Sequence, residues 1–394
     1  MSDDARCGAD ELIRRLRRVV GSAPKVALHE PRLAGREWDY VKACLDSGWV
    51  SSVGEFVNRF ETALSGILDG HAVVACVNGT AALRIALLLA GVRRDDEVLV
   101  PALTFVATAN AVSHLGAIPH FLDSDGATLS LDPAKLESRL SAIAVPGENG
   151  PINRQTGRRL AALVPMHCFG HPADMDALNE IAARWRLPVV EDATESLGSR
   201  YKGRACGALA PLAAVSFNGN KIVTTGGGGA VVASDPAVAA RAKHLTTTAK
   251  LPHRWAFLHD EIGYNDRMPN INAALGVAQL EQLPQFVRAK RALHGRYAEA
   301  LNGLSGARLF TEQPWAESNY WLNALLLDEP DTARRDRLLE ATNDAGLMTR
   351  PAWTLMHRLP MYGDHPRDDL STAEALEARL VNLPSSATLE PALG

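Results

Sequence analysis

The chain has 394 residues, of which 46% are hydrophobic and 22% are charged, and its formal net charge at pH 7 is −4. This is the composition of an ordinary globular protein that is long enough for two domains. The near-neutral charge balance and the lack of a basic tail argue against a nucleic acid or a membrane surface as partner.

The N-terminal residues and the cysteines indicate the cellular compartment of the protein. Residues 1–6 begin acidic and do not resemble a signal peptide, and the longest apolar stretch, 85–91, is too short to span a bilayer. The five cysteines are widely spaced and contain no C-x-x-C pair, which predicts neither a disulfide framework nor a zinc site. We therefore expect a cytoplasmic protein with reduced, mostly buried cysteines and no metal.

Strand-like and helix-like segments alternate from about residue 70. Helices are predicted at 81–90, 105–115 and 174–185. Apolar strands that alternate with helices predict an α/β fold with a mostly parallel central sheet and helices on both faces. The predicted strands are 71–77, 97–100, 117–122, 160–166, 187–190, 213–217 and 230–233.

The remaining segments suggest how the chain is divided. Residues 145–159 are rich in Gly, Pro and Asn and predict an exposed loop or hairpin. A mainly helical run from 275 to about 301, which Pro284 should kink or break, leads to a smaller α+β domain. That domain would hold a strand at 320–327 and a helix at 332–345. We divide the chain into an N-terminal segment 1–40, a large domain 41–280 and a small C-terminal domain 281–394.

Lys221 is the first candidate for chemistry. It follows an apolar strand and stands just before four glycines, Gly226–Gly229, in a predicted tight turn. Lysines normally occupy solvated surfaces because burying an ammonium group is costly. A lysine that is held and desolvated becomes a usable amine nucleophile, as in Schiff-base enzymes. The glycines have a simpler explanation, which is that they let the chain turn tightly into the next strand.

Three other segments end strands of the same predicted sheet. After Val77, an Asn-Gly turn leads into a helix, and the helix N-terminus with Thr80 suits a phosphate. Phe105 could cover a flat ring, and Asp192 could pair with a protonated pyridine nitrogen at the sheet edge where ligands bind. Each has a plain alternative: Thr80 as a helix N-cap, Phe105 as a core residue, and Asp192 as a helix cap.

Together these segments predict a site for pyridoxal 5'-phosphate. They provide a phosphate-binding turn, a ring cover, an acid for the pyridine nitrogen and a Schiff-base lysine. The chain has no Walker pattern and no G-x-G-x-x-G at a strand–helix turn, which disfavours nucleotide cofactors held by those motifs.

The sequence also resembles the DegT/DnrJ/StrS-type nucleotide-sugar aminotransferases, which depend on pyridoxal phosphate and have the type I aminotransferase fold. The resemblance runs from about residue 28 to 386. It rests on ordered blocks at 77–83, 101–108, 191–198, 216–229, 263–268 and 272–274.

The resemblance implies roles for matching residues. Lys221 would form the Schiff base, Asp192 would pair with the pyridine nitrogen and Phe105 would stack on the ring. Glu195 would lie near the ring hydroxyl. Asn265 would reach the phosphate of the neighbouring subunit's cofactor, so the resemblance implies a homodimer with active sites at the subunit interface. The residues implied for the phosphate of the same subunit are Gly79, Thr80 and Ser216.

Departures from the common family pattern point to a subgroup. The chain has Asn-Gly-Asn at 218–220 where many relatives have a histidine and proline, and Gly227 where many have Glu. The segments 49–54 and 245–250 resemble LegC-like 4-aminotransferases of legionaminic acid and bacillosamine pathways. That resemblance implies amino transfer from glutamate to the 4-keto carbon of a UDP- or GDP-linked 4-keto-6-deoxy sugar, with a 2-acetamido group favoured.

The substrate residues are the least defined part of the site. A nucleotide diphosphate needs local positive charge, and a bidentate arginine could hold the glutamate carboxylate. Solvated surface side chains explain the same residues equally well. The candidates for the diphosphate are Lys250, His253, Arg254, His259 and Arg267; those on the small-domain side are Arg350, for glutamate, with Trp353 and His357 nearby.

Other functions remain as alternatives. A GDP-perosamine-type 4-aminotransferase would use the same site. A pyridoxal-phosphate-dependent sugar dehydratase is disfavoured because the lysine is present and there is no cysteine cluster. A non-catalytic regulator that binds the cofactor is disfavoured because no basic helix-turn-helix pattern is found.

Overall fold

Three helices precede the central sheet in the computed structural model, which describes residues 3–390. Helix α1 packs its apolar side chains, such as Leu12 and Leu16, against Leu293 and Tyr297 of the long helix at Asn270–Leu301, although the sequence left this region unplaced. The three helices are α1 (Asp3–Val20), α2 (Glu37–Ser47) and α3 (Glu55–Ile67).

A seven-stranded sheet forms the centre of the molecule. Its order is β1-β11-β10-β7-β6-β2-β3, where parallel bridges at Leu163–Val189 and Met166–Asp192 join the two halves. Only β11 runs antiparallel to its neighbours, so the predicted mostly parallel sheet is confirmed. The strands are β1 (Ala72–Cys76), β2 (Glu97–Pro101), β3 (Ile118–Leu122), β6 (Leu160–Leu163), β7 (Val190–Asp192), β10 (Leu212–Ser216) and β11 (Gly229–Ala233).

Both faces of this sheet are covered because alternate residues of each strand point in opposite directions. In β1, Val74 packs on one side and Val73 on the other; in β2, Val98 and Leu99 divide in the same way. Helices lie on both faces, as predicted. They are α4 (Gly79–Leu89), α5 (Val106–Ser113) and α8 (Pro236–Thr246) on one face, and α3, α6 (Pro133–Ile143), α7 (Met175–Arg184) and α9 (Asn270–Leu301) on the other.

Helix α9 is longer than predicted and continues through Pro284. Of the prediction that Pro284 should kink or break the helix, the break was therefore wrong. Proline removes one backbone donor, but Leu280, Leu283 and Phe286 on either side of it are buried in the core and hold the helix in place. Tertiary packing outweighs the local preference here.

A second sheet, of four strands in the order β14-β16-β18-β17, forms the core of the C-terminal region. The strand predicted at 320–327 begins only at Asn323, so Tyr320 and Trp321 lie in the segment that leads into it. The elements are β14 (Ala307–Leu309), β16 (Asn323–Leu327), α10 (Thr332–Asp344), β17 (Arg350–Pro351), α11 (Ser371–Glu377) and β18 (Leu380–Leu383).

Short hairpins complete the fold. The predicted loop or hairpin at 145–159 contains an antiparallel pair, β4 (Ala144–Val145) and β5 (Ile152–Asn153). Strand β8 (Arg200–Tyr201) lies between β9 (Arg204–Ala205) and β15 (Ala316–Glu317) and pairs antiparallel with both. An exposed hairpin, β12 (Lys250–Leu251) and β13 (Leu258–His259), stands out from the surface.

Two further expectations can be compared with the described residues. Cys44, Cys76, Cys168 and Cys206 are free and buried, as predicted, whereas the side chain of Cys7 lies outside the described part. Between residues 3 and 390, no helix is long and apolar enough to cross a membrane.

Candidate active site

A cavity of about 300 Å³ opens at the carboxyl-terminal edge of the parallel strands. The ends of β1, β2, β7 and β10 meet at this edge, where α/β sheets bind ligands. The volume falls at the lower end of the range typical for small-molecule sites. The cavity is lined by Asn78, Gly79, Thr80, Leu83, Phe105, Ala107, Thr108, Asp192, Thr194, Glu195, Ser216, Asn218, Asn220, Lys221, Trp321 and Trp353.

Lys221 reaches into this cavity from the turn that follows β10. Its backbone N–H donates to the carbonyl oxygen of Asn218 at 3.0 Å, which closes the turn. Its Nζ lies 3.3 Å from Glu195 Oε1 and 4.0 Å from the centroid of the Trp321 ring. Only 12% of the side chain is exposed, so the amine is held and largely desolvated, as the sequence predicted.

Asp192, at the end of β7, is buried and held by three donors. Thr108 Oγ1 donates to Oδ2 at 2.7 Å, while the hydroxyl and the backbone N–H of Thr194 donate to Oδ1 at 2.7 and 3.2 Å. No helix begins at Asp192, so the alternative of a helix cap is wrong. These donors fix the plane of a carboxylate at the cavity wall.

The Glu195 carboxyl lies beside the Lys221 amine and lines the same cavity. Burial raises the pKa of Glu195 to about 7, although the Lys221 charge and the Phe169 N–H, which donates to Oε2 at 2.9 Å, act in the opposite direction. A carboxyl group with this pKa can hold or release a proton near neutral pH.

The raised pKa of Glu195 predicts a pH-dependent stability difference. Below about pH 4.5 the carboxyl is protonated in both folded and unfolded chains, and as pH rises to about 7 the unfolded chain ionises first. Glu195 therefore lowers the free energy of unfolding of the cofactor-free protein by on the order of 3 kcal/mol across this window. Glu195→Gln should lack this loss, so its stability relative to the native chain should rise between about pH 4.5 and about pH 7 in urea titrations. Glu180→Gln, at an exposed site of α7, should show no such trend; a parallel Glu195→Gln curve would contradict the assignment.

The N-terminus of α4 forms the turn at which the sequence predicted a phosphate. Asn78 is the N-cap, and its Oδ1 accepts from the Ala81 N–H at 2.8 Å, so the alternative of Thr80 as N-cap is wrong. The first N–H groups of a helix lack partners within the helix and attract anions. Gly79, Thr80 and Ser216 line the cavity beside them.

A side chain at Gly79 would fill this turn. A Cβ there would lie 2.8 Å from Ser216 Cβ and 3.1 Å from its Oγ, so only glycine leaves room beside Ser216. Gly79→Ala should weaken pyridoxal phosphate binding about five- to a hundredfold, which corresponds to a packing cost of about 1–3 kcal/mol. Absorbance titration of the cofactor-free protein measures this. Gly295→Ala in α9, where nothing lies within 4 Å, should leave affinity unchanged, and equal affinity in both variants would disprove the steric role.

Aromatic side chains close the other wall. Phe105 is 48% exposed and lines the cavity, so the alternative of a core phenylalanine is wrong. Its ring centroid lies 6.4 Å from that of Trp353, which in turn packs at 4.9 Å on Phe169. This wall could cover one face of a flat ring.

The four glycines after Lys221 shape the backbone, as the sequence predicted. Gly226 has φ +78°, and a Cβ at Gly229 would overlap the backbone of Asn78. Glycine at 229 therefore lets β11 run directly behind the phosphate turn. None of the four lines the cavity.

The residue predicted to reach the neighbouring subunit's cofactor and the exposed residues predicted to bind the diphosphate lie outside this cavity. Asn265 is exposed and its backbone bridges to Thr247. The remaining candidates project from the exposed hairpin of β12 and β13, and all are solvent-exposed; they are Lys250, His253, Arg254 and His259.

Three other candidates make structural contacts. Arg267, expected on the substrate side, is buried and donates to Glu61 at 2.7 Å and to the Ala75 carbonyl oxygen at 2.9 Å, so its guanidinium is directed towards α3 and β1. Arg350 donates to Asn343 Oδ1 at 2.9 Å, and His357 Nε2 lies 3.1 Å from Glu374. Of the small-domain candidates, only Trp353 lines the cavity.

The sequence missed several cavity residues. Asn78, Thr108, Asn218 and Asn220 fall inside segments that had been singled out, so their position beside the named residues was a usable signal. Trp321 had none, because it reaches the cavity from the C-terminal region through the tertiary fold.

Comparison with known proteins identifies the family of this chain. A model of the DegT/DnrJ/EryC1/StrS aminotransferase family matches residues 31–392. The chain belongs to this family. It is 38% identical over 375 residues to the GDP-perosamine synthase of Caulobacter vibrioides, with 95% of this chain and 96% of that protein covered. It is 35% identical over 368 residues to the GDP-perosamine synthase of Escherichia coli O157:H7, with 92% and 94% covered.

A solved structure supports the same assignment. The aminotransferase TlmJ from Streptoalloteichus hindustanus superposes with a TM-score of 0.82 at 29% identity, covering 91% of this chain and 93% of TlmJ. The predicted family, fold type and cofactor are confirmed, and the protein is a pyridoxal-phosphate-dependent sugar aminotransferase. The cavity fits that cofactor, because the space kept open by Gly79, the buried Asp192 and the Lys221 amine lie around one pocket.

Proposed function

We propose that this enzyme transfers the amino group of glutamate to the 4-keto carbon of a nucleotide-linked 4-keto-6-deoxy sugar. The observation that carries the proposal is the pairing, in one cavity, of a desolvated lysine with a buried aspartate and a helix N-terminus. The relatives that make GDP-perosamine support the sugar class.

Each group of residues has a defined task in this proposal. Bound pyridoxal phosphate supplies the carbonyl carbon that carries the amino group and the ring that accepts electrons. Gly79, Thr80 and Ser216 hold its phosphate, and Phe105 covers the ring. Asp192 keeps a proton on the pyridine nitrogen, since a buried carboxylate favours the cationic form of its partner.

Lys221 would act as both amine and proton carrier. Its Nζ is the amine that would hold the cofactor covalently, and the same amine would move a proton at the α-carbon of glutamate. Glu195, 3.3 Å from Nζ, is placed to exchange a proton with it near neutral pH. The low exposure of the Lys221 side chain keeps bulk water from competing for that proton.

Two candidate substrates differ in the nucleotide and in whether the sugar carries a 2-acetamido group. The two GDP-perosamine synthases cover nearly the whole chain, which favours a GDP-linked sugar without the 2-acetamido group. The segments 49–54 and 245–250 favour the second candidate, a 2-acetamido sugar of the legionaminic acid or bacillosamine type. Both candidates share the amino donor and the 4-keto carbon.

A half-reaction assay separates these possibilities. The enzyme is first converted to its amino form with glutamate, and the cofactor spectrum is then followed after adding GDP- or UDP-linked 4-keto-6-deoxy sugars, with and without a 2-acetamido group. Rapid loss of the amino-form spectrum with only the GDP-linked sugar lacking the acetamido group supports the first candidate. If glutamate converts the cofactor but no sugar in the panel restores it, the proposed acceptor is wrong.

We also propose that the active enzyme is a homodimer. Several large apolar side chains are exposed, and they cluster in the 38–53 region and around the β12–β13 hairpin: Trp38, Trp49, Val53, Trp255, Phe257 and Ile262. Such surfaces mark interaction sites. The exposed Asn265 and the basic residues of the hairpin lie outside the cavity of their own subunit, so we assign them to the partner's site. Sedimentation equilibrium should give twice the chain mass, and a monomer that retains full activity would refute this assembly.

A further inference from the structure

Trp321 is a cavity residue to which the proposed chemistry gives no task. It precedes β16 and is 5% exposed, yet it lines the cavity. The face of its indole ring lies under the Lys221 ammonium, with Nζ 4.0 Å from the ring centroid. This distance is within the range of a cation–π interaction, which is strongest with tryptophan.

Hydrogen bonds fix the indole in this orientation. Its Nε1–H donates to the carbonyl oxygen of Asn220, the residue before Lys221, at 2.8 Å. Its backbone N–H donates to Asn319 Oδ1 at 2.8 Å, and its carbonyl oxygen accepts from the buried Lys290 at 3.1 Å. The side chain of Trp321 therefore contacts both the amine and the turn that carries it.

The segment that carries Trp321 also contacts the residues that follow Asp192. Asn319 Nδ2 donates to the carbonyl oxygens of Glu195 and Leu197 at 3.0 and 2.9 Å. Residues 319–321 thus tie the Lys221 turn and the Glu195 segment of the central domain to the segment leading into the second sheet. A rigid contact of this kind can hold reacting groups in register.

The charges around the amine are consistent with this arrangement. Glu195 lies 3.3 Å from Nζ, and the nearby Asp192 carboxylate acts to raise the pKa of Glu195. His29 lies behind the indole, with ring centroids 6.4 Å apart, and burial lowers its pKa, so it stays neutral. Burial likewise lowers the pKa of Lys290. The ring face of Trp321 and the Glu195 carboxyl are therefore the groups placed directly against the amine.

We propose that Trp321 is a positioning residue for Lys221, whose ring face holds the amine through a cation–π contact and whose indole N–H fixes the lysine turn. The assignment rests on the proposed function only in taking Lys221 as the reacting amine. Its consequences for the amine exist before any cofactor or substrate binds.

The test uses the full chain stripped of cofactor. Lys221 is acylated with a trace of acetic anhydride, and its rate is compared by mass spectrometry with that of the exposed Lys25. Only the neutral amine reacts, so Trp321→Leu should speed acylation of Lys221 about two- to tenfold at pH about 8. At pH about 11, where lysine amines are mostly neutral, the gain should disappear. Trp321→Phe keeps a ring face and should stay close to the native rate.

A second measurement isolates the indole N–H. Trp321→Phe and Trp321→Leu both lose the donor to Asn220, so the backbone N–H of Lys221 should exchange with deuterium faster in both variants. A Trp321→Leu gain that persists at pH about 11 would show that the ring only limits access, and would overturn the cation–π role. Unchanged exchange in both variants would overturn the role of the N–H.

Turnover of the loaded enzyme then relates the contact to catalysis. A positioning role predicts that Trp321→Leu lowers kcat more than it raises KM for the keto sugar. A change in KM alone would instead make Trp321 a binding residue and contradict the proposal. The labelling result does not depend on the identity of the sugar, so it stands even where the proposed acceptor is wrong.

Discussion

Replacing Lys221 with alanine should lower turnover by about 10³-fold or more, because it removes both the amine that links to the cofactor and the proton carrier. The cofactor should still bind through the phosphate turn and Asp192, but borohydride should no longer fix it covalently to the chain. Stopped-flow measurement of the glutamate half-reaction and mass spectrometry after reduction check the two effects separately.

A matched control separates this effect from the loss of any lysine. Lys202 is exposed and pairs with Asp176 at 2.8 Å on the surface. Lys202→Ala should leave turnover and covalent fixation unchanged, since exposed ion pairs contribute little. Substantial transamination by Lys221→Ala would remove the basis for the proposed mechanism.

Asp192→Asn should produce the second large loss, about 10²- to 10⁴-fold in turnover, because a neutral amide cannot keep a proton on the pyridine nitrogen. The size of the side chain is preserved, so the fold should be retained. The hydroxyls of Thr108 and Thr194 each donate at 2.7 Å to a different carboxylate oxygen. An amide has only one oxygen, so only one of these two hydroxyls would keep its acceptor.

An exposed carboxylate provides the control for Asp192→Asn. Asp176→Asn changes an exposed carboxylate that pairs with Lys202 and Arg204, and it should leave turnover unchanged. The absorbance of the bound cofactor should become pH-dependent in Asp192→Asn where the native enzyme is constant. A native-like spectrum with reduced turnover would assign Asp192 a structural role instead.

The sequence predicted those parts of the molecule that local patterns encode. Apolar runs of strand length that alternate with helical periods specified a mostly parallel sheet, and strand ends specified the edge where chemistry would lie. Lys221, Asp192 and the 79–80 turn could be named because each follows directly from a strand. Parallel strands bring their carboxyl ends together, so the order of elements placed these residues in one cavity.

Tertiary structure decided what depends on packing between distant segments. Pro284 lies within a continuous helix because the core on either side of it stabilises the helix, and the basic candidate Arg267 is directed to Glu61 rather than to the cavity. Trp321 enters the site from the C-terminal region, 100 residues beyond the lysine it contacts. No local period or turn signal encodes such a contact, because it arises only when segments far apart in the chain pack against each other.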